Sequence, residues 1–175
     1  MSLTLGRTLC LTANLEVATG RIISPRIAET RTNQDFVDHV TDTMAEDPDG
    51  TWVFVVDNLD PHKSGELVRF VAAAIGFDGD LGKKFGSGIL RSRASRTEFL
   101  ARPEHRIRFV YTPRHCSWLN QIELWFSVLV RRVLRRGHFK SKADLRDKLS
   151  RFIDYFNRVL AKPYRWTYTG RPLRV

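Results

Sequence analysis

The segment TWVFVVDN, residues 51–58, constrains the fold more strongly than any other part of the sequence. It is a nearly continuous run of apolar residues, many of them β-branched or aromatic, and Asp57 stands near its end. Such a run is typical of a strand that is covered on both faces, because a strand with one face in water alternates apolar and polar residues. The segment therefore predicts a strand in the interior of a packed sheet.

The first half of the chain contains two further elements. Two β-rich runs, residues 8–15 and 21–27, flank the turn ATG and predict a hairpin. Residues 32–47 have apolar side chains at helical spacing, with Thr32 or Asn33 as the candidate N-cap, and they predict an amphipathic helix.

The second half continues the alternation of helix and strand. Residues 76–106 are rich in Gly and then basic, which predicts a long loop. The order of elements indicates a single α/β domain over residues 1–175 with a mixed sheet. The other predicted elements are a helix over 64–75, a strand in RIRFVYTP, a helix from Trp118 to about Arg136 and a last helix from Ser141, where SKAD resembles a capping box.

The segment RHCSWLNQIELWF places an acid beside an apolar helix face. Its apolar side chains from Trp118 to Phe126 are spaced to face a core, and Glu123 lies at the edge of that face. Asp57 and Glu123 each follow a predicted central strand, and the ends of neighbouring strands are where α/β proteins build sites. Two carboxylates meeting there repel each other unless a cation joins them, and Mg²⁺ prefers oxygen ligands. The pair therefore indicates a divalent metal site.

Plainer roles for the same residues stay open at this point. A turn or a helix cap accounts for Asp57 followed by Asn58, and an exposed helix edge accounts for Glu123. His62 fits an ordinary loop histidine after a proline, and Asn120 fits a local helix cap. What favours a site is the joint pattern of DNLDPH and TPRHCSWLNQIELWF at the two strand ends.

The basic charge is concentrated in the second half of the chain. Residues 1–90 hold 8 Lys and Arg against 13 Asp and Glu, a net charge of −5, whereas residues 91–175 hold 21 against 6, a net charge of +15. A cationic region of this size attracts polyanions, so nucleic acid is the expected partner, although a solvated basic surface has the same composition. The residues expected to contact it are Arg91, Arg93, Arg96, Arg131, Arg132, Arg135, Arg136 and Lys140.

The sequence has no sign of secretion or membrane insertion. No apolar run approaches the ~18 residues of a membrane span, and the first residues lack the regions of a signal peptide. Cys10 and Cys116 lie far apart, which favours neither a disulfide framework nor a zinc site. We therefore expect a cytoplasmic protein.

Several longer strings resemble one family. VVDNLDPHKS, RFVYTPRHCSWLNQIELWFSVLVRRVLRRGHFKS, FIDYFNRVLAKPYRWTYTG and the hairpin LTANLEVATGRI resemble the catalytic core of IS630-family transposases, which are Tc1/mariner-like DDE endonucleases. The resemblance implies a ribonuclease-H-like mixed sheet flanked by helices. It also implies three acids that bind two Mg²⁺ or Mn²⁺ ions for DNA cleavage and strand transfer. Asp57 matches the second acid and Glu123 the third, with Asn58, His62 and Asn120 in supporting positions.

The chain also departs from this family. The first acid of the family lies on a first, central strand ahead of the hairpin, and residues 1–7 contain no Asp or Glu. We expect this strand and the N-terminal helix-turn-helix region to be missing, as in a truncated, remnant or split transposase. Glu16, Asp35 and Asp60 are the nearest acids that could substitute, but none has a position that the family supports.

Two functions of different class remain at this stage. In the first, the chain is an endonuclease domain that is completed by an upstream transposase segment, and it acts on DNA as a possible homodimer. In the second, it is a catalytically inactive remnant that binds DNA through its basic half. Two carboxylates without a third hold metal weakly, so we expect little strand transfer from the isolated chain. Loss of a central strand also exposes sheet edges.

Overall fold

The computed structural model describes residues 2–5, 9–113, 120–135 and 137–163, and for residues 2–5 it describes the backbone alone. The strands are β1 (Ser2–Leu5), β2 (Leu9–Leu15), β3 (Ile22–Ala28), β4 (Trp52–Val56) and β5 (Ile107–Tyr111). The α-helices are α1 (Asn33–Met44), α2 (Gly65–Ala74), α3 (Arg93–Leu100), α4 (Ile122–Leu129) and α5 (Lys142–Tyr155). Strands and helices alternate as expected for an α/β domain.

The first sheet is antiparallel, in the order β1-β2-β3. β2 and β3 form the predicted hairpin, and its turn includes Gly20 at φ +73°. A Cβ atom at Gly20 would lie 1.8 Å from the Lys162 carbonyl oxygen, so both the turn and this close approach require glycine. β1 is an addition to the predicted elements. It pairs with β2, with Ser2 opposite Thr12, and it contains no acidic residue.

The second sheet is a parallel pair, in which β4 and β5 are aligned residue for residue. Both strands were predicted, but the expectation that β4 is covered on both faces is wrong. Phe54 and Val56 are buried, whereas Val53 and Val55 are 46% and 49% exposed. The strand is apolar on both faces, and only one face is packed within the described part of the chain. Among the described residues the strands form two small sheets, not the single mixed sheet that was expected.

The prediction of a loop over residues 76–106 is wrong because α3 lies within it. The Ser92 hydroxyl accepts a hydrogen bond from the Ser95 N–H at 3.1 Å, and the Ser95 hydroxyl accepts one from the Ser92 N–H at 3.0 Å. This reciprocal cap starts the helix. Phe99 and Leu100 at its end are fully buried. The helix is hard to recognise in the sequence because its apolar pair comes only after six small or polar residues.

The caps confirm two predicted helix starts. The Thr32 side chain accepts from the Asp35 N–H at 3.1 Å, and the Asp35 carboxylate accepts from the Thr32 N–H at 2.7 Å. Ser141 caps α5 by accepting from the Asp144 N–H at 3.1 Å. The Asp144 carboxylate accepts from the Lys140 N–H instead of closing a capping box on Ser141.

Two hydrophobic cores divide the described residues between the two sheets. The first packs α1, α2 and α3 on the β4–β5 pair, with Phe109 at its centre. The second packs α4 and α5 on β2 and β3, and it includes Leu11 and Leu149. Ile122, Trp125 and Phe126 are buried there, which confirms the apolar face predicted for this helix. The predicted helix start at Trp118 lies outside the described residues.

Candidate active site

Asp57 directly follows β4, where the chain enters a short 3₁₀ helix, Asp60–Lys63. Its Oδ1 atom lies 2.8 Å from His62 Nδ1 and accepts a hydrogen bond from the Leu59 N–H at 3.1 Å. Burial acts to raise the pKa of Asp57, but the hydrogen bond and charge of His62, with the Leu59 N–H, bring it below its usual value. Asp57 is therefore held as a carboxylate. Both contacts engage Oδ1, which leaves Oδ2 as the oxygen for a further ligand.

His62 is buried, 4% exposed, and is fixed from several sides. Its ring centroid lies 4.4 Å from that of Phe36, and its carbonyl accepts a hydrogen bond from the Tyr111 hydroxyl at 2.7 Å. Burial raises the pKa of Tyr111, so this hydroxyl stays protonated and donates. Because Tyr111 ends β5 and Asp57 follows β4, His62 connects the ends of the two parallel strands. The His62 ring thus lies beside Asp57.

Asn58 and Asn120 occupy structural positions near these strand ends. Asn58 Nδ2 donates to the Thr112 carbonyl at 2.6 Å, and its Oδ1 accepts from Lys63 Nζ at 2.5 Å. The amide therefore connects the segment after β4 with the segment after β5. Asn120 is buried ahead of α4, and its carbonyl accepts the Glu123 N–H at 3.0 Å. Both residues support the backbone that carries the acids.

Glu123 lies in the first turn of α4 and is electrostatically coupled to Asp57. Its pKa is raised, first by burial and then by the negative charge of Asp57. Further along the helix, the Ser127 hydroxyl donates to the Glu123 carbonyl at 3.0 Å, and Arg131 Nε donates to the Ser127 carbonyl at 3.3 Å. α4 thus carries an acid in electrostatic range of Asp57, and the π-helical segment that continues it, Val130–Leu134, carries the exposed Arg131.

The donor set of this pair fits one hard divalent ion. Mg²⁺ is commonly held by one or two carboxylates together with water and substrate phosphates, and Mn²⁺ accepts the same ligands. Within residues 9–113, 120–135 and 137–163, no group of three or more His, Cys, Asp or Glu side chains is arranged as a metal site. Asp57 and Glu123 are thus two candidate ligands with no third acid, His or Cys grouped with them among these residues, and the two ions that the resemblance implies would require further ligands.

The three acids considered as substitutes are engaged elsewhere. Glu16 accepts a hydrogen bond from the Thr19 hydroxyl in the hairpin turn. Asp35 caps α1, and Asp60 forms an ion pair with Arg93 at 2.8 Å. Each carboxylate thus has a local structural partner.

The basic residues expected to bind DNA divide into an exposed group and one buried residue. Arg96 is 7% exposed, and it donates to the Lys63 carbonyl at 2.7 Å and to the Leu90 carbonyl at 2.9 Å. It holds α3 against the segment that follows Asp57, so its assignment as a phosphate contact is wrong. Arg136 lies outside the described residues. The exposed residues are Arg91, Arg93, Arg131, Arg132, Arg135 and Lys140.

Tyr111 and Lys63 contribute to the site although the sequence analysis did not single them out. Tyr111 holds the His62 carbonyl, and Lys63 lies 4.8 Å from the Tyr111 ring centroid while donating to Asn58. When FVVDN and FVYTP are aligned as parallel strands, Tyr111 falls opposite Val56, the residue before Asp57. This alignment could have identified Tyr111 as a site residue from the sequence. No comparable pattern marks Lys63.

Comparison with protein-family models identifies the chain. Residues 4–146 match the model described as DDE superfamily endonuclease, and the match includes both Asp57 and Glu123. Neither the curated proteins nor the solved structures gave a significant match. In the described ranges, no helix is long and apolar enough to cross a membrane. The small sheets flanked by helices are consistent with a ribonuclease-H-like fold. Since the match extends over most of the 175 residues, the chain belongs to the DDE superfamily of endonucleases.

Proposed function

We propose that the chain is the catalytic domain of an IS630-family transposase and that it cleaves and joins DNA phosphodiesters with a divalent metal ion. The family match supports DNA as the substrate. One observation carries the site assignment, which is that the charge of Asp57 raises the pKa of Glu123. This shift indicates that the two carboxylates are within electrostatic range of each other. They would hold one Mg²⁺ or Mn²⁺ ion.

The two acids have different tasks in this proposal. A bound divalent ion supplies activation of a water, and later of a DNA 3′-hydroxyl, for attack on phosphorus. Asp57 would offer Oδ2, because His62 and Leu59 hold Oδ1. A bound cation would lower the pKa of Glu123, because it replaces the repulsion from Asp57 with attraction. His62 acts as a positioning residue that fixes the Asp57 carboxylate.

DNA would approach over the exposed end of α4. Arg131 and Arg135 lie one turn apart beyond Glu123 and are exposed, so they can neutralise phosphates on a strand whose scissile bond lies at the acids. Arg132, Lys140, Arg91 and Arg93 would extend this contact, and Arg93 would exchange its ion pair with Asp60 for a phosphate. If these six cations bind phosphates, the logarithm of the binding constant falls with the logarithm of salt concentration with a slope of about −5.

Two partners are part of the proposal. An upstream transposase segment would supply the third acid that residues 1–7 lack, and a second copy of the chain would bring a second DNA end. The alternative is a DNA-binding remnant without catalysis. The absence of a three-ligand group among the described side chains favours this alternative for the chain on its own. In both cases the protein would work at the nucleoid in the cytoplasm.

A nicking assay on supercoiled plasmid DNA tests the proposal. The 175-residue chain and a version with the upstream genomic segment joined in frame are incubated with Mg²⁺ or Mn²⁺. We expect nicking by the longer version, and we expect Asp57→Asn and Glu123→Gln to abolish it while DNA binding persists. Glu98→Gln, a change at an exposed acid on α3, is the matched control and should leave nicking intact.

The outcomes of this assay separate the two functions. Nicking that survives Glu123→Gln would contradict the site assignment. No nicking by either version, together with salt-dependent DNA binding, would support the binding remnant. In that case the double variant Arg131→Ala, Arg135→Ala should reduce the salt slope by about 2, because each lost phosphate contact removes about one unit.

A further inference from the structure

Phe85 is the most exposed large apolar side chain among the described residues, at 81% exposure. It lies in the sequence KKFGS, residues 83–87, which we call the basic turn. A single exposed apolar residue needs no functional explanation by itself. Phe85 differs from an ordinary surface residue in the rigidity of its turn, in its backbone conformation and in the cation beside its ring.

The basic turn is closed by backbone hydrogen bonds. Lys83 and Ser87 form a short antiparallel bridge, in which the N–H of each donates to the carbonyl of the other at 3.1 Å. The Gly86 N–H also donates to the Lys83 carbonyl, at 3.0 Å. Just outside the bridge, a Cβ atom at Gly82 would lie 2.1 Å from the Ser87 carbonyl oxygen, so the two arms of the turn approach too closely for a larger residue. The turn is therefore a preformed support for the residue at its tip.

The backbone of Phe85 is strained. Its φ of +62° lies in the left-handed region, which is unfavourable for a residue with a Cβ atom, and glycine or asparagine would adopt it at lower cost. The ring also gains little from packing, because it is so exposed. Neither the backbone nor burial favours phenylalanine at this position, and strain that packing does not repay is typical of functional positions.

A cation lies beside one face of the Phe85 ring. Lys84 Nζ is 5.3 Å from the ring centroid, which is a cation–π distance. Together with Lys83, the turn combines two ammonium groups with one aromatic ring. Ammonium groups bind phosphates and aromatic rings stack on bases, and surfaces that bind single-stranded nucleic acid combine the two. Because Lys84 lies over one face, a single face is available, which suits one unpaired base better than insertion between the base pairs of a duplex.

The basic turn is joined to the segment that follows Asp57. Leu90, three residues after the turn, is buried, and its N–H donates to the Leu81 carbonyl ahead of the turn at 2.9 Å. The Arg96 guanidinium donates to the Leu90 carbonyl at 2.9 Å and to the Lys63 carbonyl at 2.7 Å. The base of the turn is thus held against residues that lie a few positions after the site acid, so a strand bound at the acid can reach the turn.

We infer that Phe85 is a stacking residue for an unpaired base of DNA and that Lys83 and Lys84 bind the phosphates beside that base. The ligand is single-stranded DNA, as is formed where a duplex opens. The inference rests on the proposed function, because it takes DNA as the substrate, but it requires neither a metal ion nor cleavage. It adds a contact to a base, whereas the arginines assigned above contact phosphates.

Fluorescence anisotropy in EDTA tests the stacking contact. The labelled probes are a single-stranded oligothymidine of about 20 nucleotides and a duplex of about 20 base pairs. We expect Phe85→Ala to weaken binding of the single strand by about tenfold, as for the loss of one stacked base, and to change duplex binding by less than about twofold. Phe85→Trp keeps an aromatic face and should bind the single strand as tightly as the original chain does.

Two controls separate stacking from other effects. Tyr155→Ala removes an exposed aromatic side chain at the end of α5, and it should bind both probes like the original chain. Phe85→Ala should also unfold at the same urea concentration as the original chain, because the ring contributes little to packing. A loss of single-strand binding with an unchanged midpoint distinguishes a binding role from a structural one.

Several results would overturn the inference. Equal binding of the single strand by Phe85→Ala and the original chain would mean that no base stacks on the ring. Equal weakening of both probes would assign Phe85 to duplex binding, and a lower urea midpoint would assign it to the fold. No binding of either probe by the original chain would overturn both the stacking contact and DNA as the substrate. The nicking assay uses neither probe, so failure of the stacking contact alone leaves the proposed nuclease function standing.

Discussion

His39 should make the folded protein sensitive to mild acid. It lies in α1, it is fully buried, and neither ring nitrogen has a hydrogen bond of normal geometry within the described residues. Burial lowers the pKa of His39 to about 3; the nearby Ser24 backbone opposes this shift, and the positive charge of Arg26 acts in the same direction as burial. The unfolded chain binds this proton with a pKa near 6.5. The contribution of the neutral His39 ring to the free energy of unfolding is therefore fully present above pH 6.5 and is lost as the pH falls toward 3.

The size of the effect follows from linkage between protonation and unfolding. At pH 5 the unfolded state has bound the proton almost fully and the folded state has not. The loss of stability therefore builds up over the interval from the unfolded-state pKa of 6.5 down to pH 5, which is about 1.5 pH units. At about 1.36 kcal/mol per unit, the free energy of unfolding should fall by about 2 kcal/mol between pH 7.5 and pH 5. Any folded-state pKa well below 5 gives the same loss.

Urea unfolding of the 175-residue chain at pH 7.5 and pH 5 measures this loss. We expect His39→Leu, which replaces the ring with a neutral apolar side chain, to reduce the pH-dependent loss by about 2 kcal/mol. His138→Gln, a change at an exposed histidine, is the control and should keep the pH dependence of the original chain. The reasoning is refuted if His39→Leu loses as much stability as the original chain over the same interval.

The acid pair, the second core and a helix cap give three more outcomes. Glu123→Gln should raise the melting temperature at pH 7 in EDTA, because a neutral amide avoids repulsion from Asp57, and the gain should vanish near about pH 3, where the acid is protonated in both states. Leu149→Ala should cost about 2–5 kcal/mol in urea unfolding, because Leu149 is fully buried in the second core. Ser141→Ala should cost about 1 kcal/mol by removing the cap on the Asp144 N–H. An unchanged melting temperature for Glu123→Gln, or an unchanged urea midpoint for either of the other two variants, contradicts the interaction on which that prediction rests.

Elements with a strong local signal could be predicted from the sequence. The hairpin follows from two β-rich runs around Gly20, and the N-cap of α1 follows from Thr32 with an acid three residues later. The site acids were selected because each follows a predicted strand, and the charge of Asp57 contributes to the raised pKa of Glu123. The hairpin and the cap depend on residues that are neighbours in the chain, and the choice of the two acids depends on one pair of parallel strands.

Features that depend on tertiary context could not be predicted. Arg96 looked like a surface cation in a basic segment, but it is buried because two backbone carbonyls from different segments accept its guanidinium N–H groups. β4 looked covered on both faces because composition reports what a strand can pack against and not what is present beside it. The pairing of β1 likewise depends on β2 lying alongside it, and four residues with no acid or charge carry too little pattern to indicate this.

Manganese binding measured by electron paramagnetic resonance tests the central claim, that Asp57 and Glu123 form one metal site, most directly. The signal of free Mn²⁺ is followed while the 175-residue chain is titrated in, and the variants Asp57→Asn, Glu123→Gln and Glu98→Gln are compared. The account predicts one weak site in the original chain and in Glu98→Gln, and loss of that site in each of the other two variants. Equal Mn²⁺ binding by all four proteins, or loss in only one of the two active-site variants, would contradict it.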